Sequence, residues 1–275
     1  MRHRPFGKGG PPVPLVGQGT WPMPDVAALR RGIELGMTHI DTAEMYGDGR
    51  SEELIAEAIA GVPRDSLFLV SKVYPHNADK RGIVRACERS LQRLRVDYLD
   101  CYLLHWRAQN DLAETMQGLE ALVRAGKTRR LGVSNLDPWD LREAVAALQH
   151  ERIACDQVLY NLEQRAVEDH ELSWCREYGA ALVAYSPLGD GGIDLKAARY
   201  APLVAIAKRR NASPYAVALA FLLRDPSVFV IPKANRIEHV EANAAAGDLE
   251  LDDREIAAIE RAFPKKKRRG DLPMN

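Results

Sequence analysis

Apolar and polar positions along the chain follow two alternating periods. Short, mostly apolar runs with β character recur eight times: PLVGQGT (14–20), THIDTA (38–43), LFLVSKV (67–73), YLDCYLLHW (98–106), RRLGVSN (129–135), CDQVLYN (155–161), ALVAYSPL (181–188) and SVFVIPK (227–233). Between them, apolar residues recur every three or four positions, the helical period. The segment 80–94 repeats them at 83/84, 87, 91 and 94. Helices are predicted over 26–36, 51–61, 80–94, 112–126, 137–149, 167–179, 198–210, 213–224, 236–246 and 252–263. Ser51 is read as the N-cap of the second, with Gly61 closing it, and Asp137 with Pro138 as the start of the fifth. A Ser-Pro pair opens the helix at 213.

Strands alternating with helices require crossover connections, hence a parallel sheet. Eight such units in 275 residues fit a closed (β/α)8 TIM barrel of α/β class. An open doubly wound sheet is the alternative. It calls for a Gly-rich phosphate turn after its first strand. Here GQG is followed by Thr20-Trp21-Pro22, and Gly189-Asp190-Gly191-Gly192 has the wrong spacing. No linker or low-complexity segment interrupts the pattern, so residues 1–275 read as one domain.

Composition narrows the classes. Lys+Arg and Asp+Glu balance at 38 each, which gives no argument for nucleic acid or a membrane surface as partner. No apolar run approaches the roughly 20 residues of a membrane span, and the start carries charge without an apolar stretch behind it. Cys87, Cys101, Cys155 and Cys175 form no CxxC and no zinc-like cluster. They read as buried thiols in a reducing cytoplasm. The basic run Lys265-Lys266-Lys267-Arg268-Arg269 reads as a mobile tail over 264–275, because Gly270 and Pro273 follow without an apolar anchor. A nuclear-import or nucleic-acid patch is the alternative.

The candidate chemistry lies at the last polar residue of each strand. These are Asp41, Lys72, His105, Ser134-Asn135, Gln157, Tyr185-Ser186 and Lys233. In a barrel all of them share the C-terminal face, where active sites sit. Strand alternation predicts that, with His105 facing inward, Leu103, Cys101 and Leu99 do too. No metal constellation and no nucleophile elbow are visible. What remains is a tyrosine (Tyr46), a lysine, a carboxylate and a histidine. A free phenol, with a pKa of about 10, is a poor acid near neutrality. A neighbouring ammonium is expected to bring it down. Such an acid can protonate a carbonyl oxygen while hydride reaches the carbon. A barrel enzyme using Lys72 as a Schiff-base nucleophile is the competing reading.

The segments VGQGTW, HIDTAEMYG, LFLVSK, LDCYLLHW, GKTRRLGVSN, DQVLYN, AYSPL and IPKANRIEHVEANAAA occur in the order found in aldo-keto reductases. The chain resembles that family from residue 17 to about 263. GQGTW, DTAEMYGDG and SKVYPHNA are closest to its bacterial, methylglyoxal reductase-like branch. The resemblance implies an N-terminal β-hairpin capping the barrel and extra helices near the C-terminus. It implies a catalytic tetrad of Asp41, Tyr46, Lys72 and His105, with Tyr46 as general acid. It further implies NADPH, rather than NADH, bound without a metal and without a Rossmann fold. Its binding residues would be Thr20, Asp41, Ser134, Asn135, Gln157, Tyr185, Ser186, Pro187, Leu188, Gly189, Ile231, Lys233, Ala234, Asn235, Arg236, His239 and Asn243.

Trp21, Tyr46, Tyr74, His105 and Trp106 match the substrate pocket. The partner is then a small carbonyl compound, and the protein a monomer or weak oligomer. Ala234, His239 and Ala242 stand where many members carry Ser, Arg and Glu, and Arg107 where many carry Pro. Arg236 and His239 are the candidates to replace the absent arginine at the 2′-phosphate. Short loops and the basic tail predict an open, shallow pocket suited to 2-oxoaldehydes. A regulatory cofactor-binding protein of the same fold is the alternative to a reductase.

Overall fold

The computed structural model describes every residue except Ala108, Arg269, Asp271 and Asn275. The chain opens with an antiparallel hairpin of β1 (His3–Pro5) and β2 (Pro12–Pro14). Eight parallel strands follow: β3 (Gln18–Gly19), β4 (His39–Asp41), β5 (Phe68–Val73), β6 (Cys101–Leu104), β7 (Leu131–Ser134), β8 (Ile153–Leu159), β9 (Ala181–Tyr185) and β10 (Val228–Val230). They lie side by side in chain order. A parallel bridge from Val16 to Val230 joins the last strand to the first. Gly17 N–H donates to the Val230 carbonyl at 2.8 Å and Gly19 N–H to that of Pro232 at 3.2 Å, which closes the barrel. All eight strands coincide with the apolar runs of the sequence.

The hairpin sends Phe6 into the N-terminal end of the barrel. Its ring lies 4.7 Å from Phe68, 5.1 Å from Phe229 and 5.8 Å from His39, centroid to centroid. These residues start or lie within β5, β10 and β4, so this end is plugged by aromatic packing. Catalytic access is left to the opposite end.

The helices are α1 (Val26–Glu34), α2 (Arg50–Ala58), α3 (Gly82–Leu94), α4 (Leu112–Arg124), α5 (Pro138–Ala147), α6 (Glu171–Tyr178), α7 (Ala201–Arg210), α8 (Pro214–Leu222), α9 (Ile237–Ala245) and α10 (Asp253–Ala262). Asp137 caps α5 by accepting from the N–H groups of Trp139 and Asp140, with Pro138 at the first helical position. Ser213 caps α8. Asp252 and Glu255 form a reciprocal capping box on α10. The segment 213–224 is apolar on every side for a physical reason. Residues 216–222 of α8 are all buried, since α8 packs on β10 and α9 while α7 and α10 lie against it or each other outside.

Three expectations are corrected. Ser51 does not cap α2; Gly49 does, in a left-handed conformation (φ 90°), and Ser51 is buried one residue inside the helix. Leu99 does not join Cys101 and Leu103 inside the barrel. It packs in the outer layer with the helices, because strand alternation begins only at Cys101. The basic tail is not without anchors. Lys265 Nζ meets Asp169 Oδ1 at 2.5 Å, Arg268 pairs with the fully buried Glu171, and Leu272 packs on the core. Arg269 of that run lies outside the described residues. Cys87, Cys101, Cys155 and Cys175 are free and buried. Among the described residues no helix is long and apolar enough to cross a membrane.

Candidate active site

β4 ends in Asp41, and β5 carries Lys72 one turn of the pleat further along. Asp41 sits opposite Val70 in the sheet register, so Lys72 projects just above it. Lys72 Nζ donates to Asp41 Oδ1 at 2.6 Å, to the Thr42 carbonyl at 2.8 Å and to Tyr46 Oη at 3.4 Å. Lys72 is fully buried and Asp41 is 1% exposed. The other carboxylate oxygen, Oδ2, accepts from Gln157 Nε2 at 2.7 Å. A buried ion pair is costly unless its remaining hydrogen-bonding capacity is filled, and here it is. Burial acts to lower the Lys72 pKa. Asp41, and then Tyr46, outweigh it and hold the ammonium above the ordinary lysine value. Burial lifts the Asp41 carboxyl above its usual value, against the pull of Lys72 and Gln157. A lysine so buried and so firmly charged is unsuited to Schiff-base chemistry, which needs a free amine.

Tyr46 opens a turn, Tyr46–Gly49, with three successive left-handed residues: Gly47 (φ 56°), Asp48 (51°) and Gly49 (90°). Glycine adopts this region freely, and Asp is among the few other residues that tolerate it. The turn swings the phenol back over Lys72 instead of letting α2 begin at once. The ring lies 5.0 Å from Trp21 and 5.6 Å from His105.

The pKa direction corrects the sequence expectation. Burial raises the Tyr46 phenol above its ordinary value; Lys72 opposes this and Asp41 reinforces it. In the free protein the phenol is therefore a protonated donor, and the ammonium offsets part of the cost of a phenolate. His105 is pushed down to about 2 by burial and then by Lys72, so its imidazole is neutral. Its Nδ1 is buried without a hydrogen-bond partner among the described residues.

Above these groups opens a cavity of about 1070 Å³. Its wall contains Thr20, Trp21, Asp41, Tyr46, His105 and Trp106 at one end. Ser134, Asn135, Gln157, Tyr185, Ser186, Pro187, Leu188 and Gly189 line its middle. Ile231, Lys233, His239 and Asn243 lie further along, with Tyr215 and Met274, which the sequence did not single out. The register pairs Ser134 with Gln157 across β7 and β8. Tyr185 Oη donates to Asn135 Oδ1 at 3.0 Å, and Asn135 Nδ2 donates to Ser134 Oγ at 3.0 Å and to the His105 carbonyl at 3.2 Å. One network thus runs from the middle of the cavity to the histidine. Met274 brings the C-terminal tail to the cavity wall.

Five expected residues fall outside the lining: Lys72, fully buried beneath Tyr46, and four others. Tyr74 turns away and meets Trp106 edge-on at 5.2 Å, bracing the wall from behind. Asn235 accepts from Asp25 N–H at 3.1 Å, tying the loop after β10 to the start of α1. Arg236 lies 3.6 Å from Glu238 on the exposed surface, and Ala234 packs on the core. Arg107, in the place of a common proline, pairs with Asp140 and with Glu143 on α5.

The cavity wall also carries a cation, Lys233, that suits an anionic ligand group. Lys233 has no ion-pair partner among the described residues. Ser186 and Gly189 hold left-handed conformations (φ 44° and 81°) that turn the β9 loop along the cavity. Residues 17–263 match the model of the Aldo/keto reductase family. The chain is 44% identical to methylglyoxal reductase YeaE of Escherichia coli K12 over 271 residues, 95% of each chain. It is 33% identical to the glyoxal reductase of Bacillus subtilis, over 90% of this chain and 86% of that one. An aldo/keto reductase from Klebsiella pneumoniae, solved with NADP and acetate, superposes with a TM-score of 0.91 at 42% identity, covering both chains fully. The chain belongs to the aldo/keto reductase family.

Proposed function

We propose that this protein is an NADPH-dependent reductase of small aldehydes and 2-oxoaldehydes such as methylglyoxal. The observation that carries the reading is the buried chain Asp41–Lys72–Tyr46 beside a neutral His105, at the wall of a cavity of about 1070 Å³. The relatives named for methylglyoxal and glyoxal, and the NADP-bound neighbour, support the substrate and cofactor.

In this reading Tyr46 Oη donates its proton to the substrate carbonyl oxygen. Lys72, held by Asp41, stabilises the phenolate that remains. The neutral His105 presents an imidazole N–H to the same oxygen and selects the carbonyl orientation. When bound, the reduced nicotinamide supplies the hydride to the carbonyl carbon. Ser134, Asn135 and Gln157 would hold its carboxamide, Tyr185 its ring, the 186–189 loop the pyrophosphate, and Lys233 a phosphate of the adenosine end. That unpaired lysine supports NADPH over NADH. Trp21 and Trp106 would wall the substrate.

Tyr46→Phe tests the reading. Loss of a positioned general acid costs about 10²–10⁴ in rate, so NADPH-coupled methylglyoxal reduction should fall by that factor while NADPH binding, followed by fluorescence titration, stays unchanged. A variant that keeps most of its kcat refutes the acid assignment. Parallel assays with NADH, and with a steroid ketone, test the cofactor and the preference for small substrates.

A further inference from the structure

Glu44 lies two residues before Tyr46, in a loop, and its carboxylate is buried (8% exposed). An acid in such a place needs partners. It has three. Oε1 accepts from the Tyr74 backbone N–H at 2.8 Å and from Asn77 Nδ2 at 3.1 Å, and Oε2 accepts from Arg89 at 3.3 Å. None belongs to the tetrad and none is a helix N-terminus. All come from the loop after β5 and from α3. The main chain runs in step, since Glu44 N–H donates to the Lys72 carbonyl at 3.3 Å. From the far side Asn110 Nδ2 donates to the Pro75 carbonyl at 2.7 Å, so the loop at 74–77 is held from two directions. The Tyr74 ring it carries stands edge-on to Trp106, whose own ring lies 4.8 Å from His105 and lines the cavity.

We propose that Glu44 is a positioning residue for the substrate. Its carboxylate locks the Tyr74 loop to the segment that carries the general acid, and so fixes Trp106 at the distance a small carbonyl compound needs. The inference rests on the reductase reading. Charge-assisted bonds to a backbone N–H are strong and directional, so the loop has one seat while they persist. Glu44→Ala removes the acceptor, frees the loop and lets Trp106 recede, while the Asp41–Lys72–Tyr46 contacts stay. Binding of a small substrate suffers and the chemical step does not.

The test is steady-state kinetics on Glu44→Ala, Glu44→Gln, Tyr74→Ala and the Glu44→Ala/Tyr74→Ala pair, with fluorescence titration of NADPH. Glu44→Ala is expected to raise KM for methylglyoxal about tenfold, or about 1.4 kcal/mol, with kcat and NADPH affinity nearly unchanged. A bulky aromatic aldehyde should lose less or gain. Glu44→Gln should restore KM, because its amide oxygen still accepts from Tyr74 N–H. Tyr74→Ala should reproduce the effect and add little in the double variant. A folded Glu44→Ala with unchanged KM overturns the proposal. So does a fall in kcat at constant KM, or full additivity with Tyr74→Ala. Should Glu44→Ala fail to fold, an unchanged KM in Tyr74→Ala overturns it. A wild-type protein that turns over no aldehyde with NADPH strikes the reductase reading instead.

Discussion

His39 →Phe should make this protein less sensitive to acid. His39 is fully buried at the plugged end of the barrel, and neither ring nitrogen has a hydrogen-bond partner among the described residues. Its ring packs edge-on against Phe6 and Phe68. Burial, and then Lys72, lower its pKa from 6.5 to about 3. A group with a depressed folded pKa that is neutral when deprotonated contributes full stability above its unfolded pKa. That stability is lost as pH falls through 6.5 towards 3. The loss is about 1.4 kcal/mol per pH unit. At pH 5, 1.5 units below the unfolded value, it is roughly 2 kcal/mol, and at pH 7 it is close to zero. Phenylalanine keeps the two edge contacts and removes the titration. Urea titrations of both proteins at pH 7 and pH 5 measure the effect. The variant should gain about 2 kcal/mol on wild type between the two values, or roughly 4 °C in Tm. Packing of the larger ring against Gly17 changes both pH values alike and drops out of the comparison. Parallel pH dependence in the two proteins refutes the reasoning. His105 has the same sense and remains in the variant, so some acid sensitivity persists.

Other outcomes follow from the same geometry. Because the folded His105 titrates only near 2, kcat should be flat from pH 5 to 8, and an apparent pKa near 6.5 in a pH–rate profile would contradict it. The alkaline fall should be set by Tyr46, above the ordinary phenol value. Lys72→Met leaves Asp41 buried without its cation, which costs about 3–5 kcal/mol. The deficit should deepen as pH rises above the usual carboxylate value, since a raised folded pKa stabilises only at lower pH. Adding Asp41→Asn should recover stability by urea titration without recovering activity. Gly49→Ala forces a Cβ at φ 90° to within 2.5 Å of Arg93 Nε, a group bonded to the buried Glu52 at 2.7 Å. A loss of about 1–3 kcal/mol is expected, with a lower kcat from the displaced Tyr46 turn; an unchanged Tm would argue against it.

The sequence was most informative where one physical signal repeats. Eight apolar runs with helical periods between them specify strands and crossovers, because backbone pairing and burial leave few other arrangements. The polar residue closing each run specifies the functional face, since parallel strands of a barrel end together. Local rules failed where neighbours in space override neighbours in sequence. Ser51 looked like a cap, but the left-handed turn that carries Tyr46 consumes the residues before it, and Gly49 takes that place. No local rule of sequence assigns Glu44 or Asp48 a role. Asp48 is part of that turn, and Glu44 reaches donors thirty and more positions away. Tyr74 has the composition of a pocket wall, yet the register of β5 and the Glu44 clamp turn it behind Trp106.

What the sequence determined by itself is the barrel, its order and the residue types at its mouth. Periodicity is a local property and survives without coordinates. What only the tertiary structure decided is charge and proton placement. Desolvation depends on every atom around a group. Burial therefore raises the Tyr46 phenol where a pairwise argument with Lys72 lowers it, and the same burial keeps His105 neutral beside an ammonium.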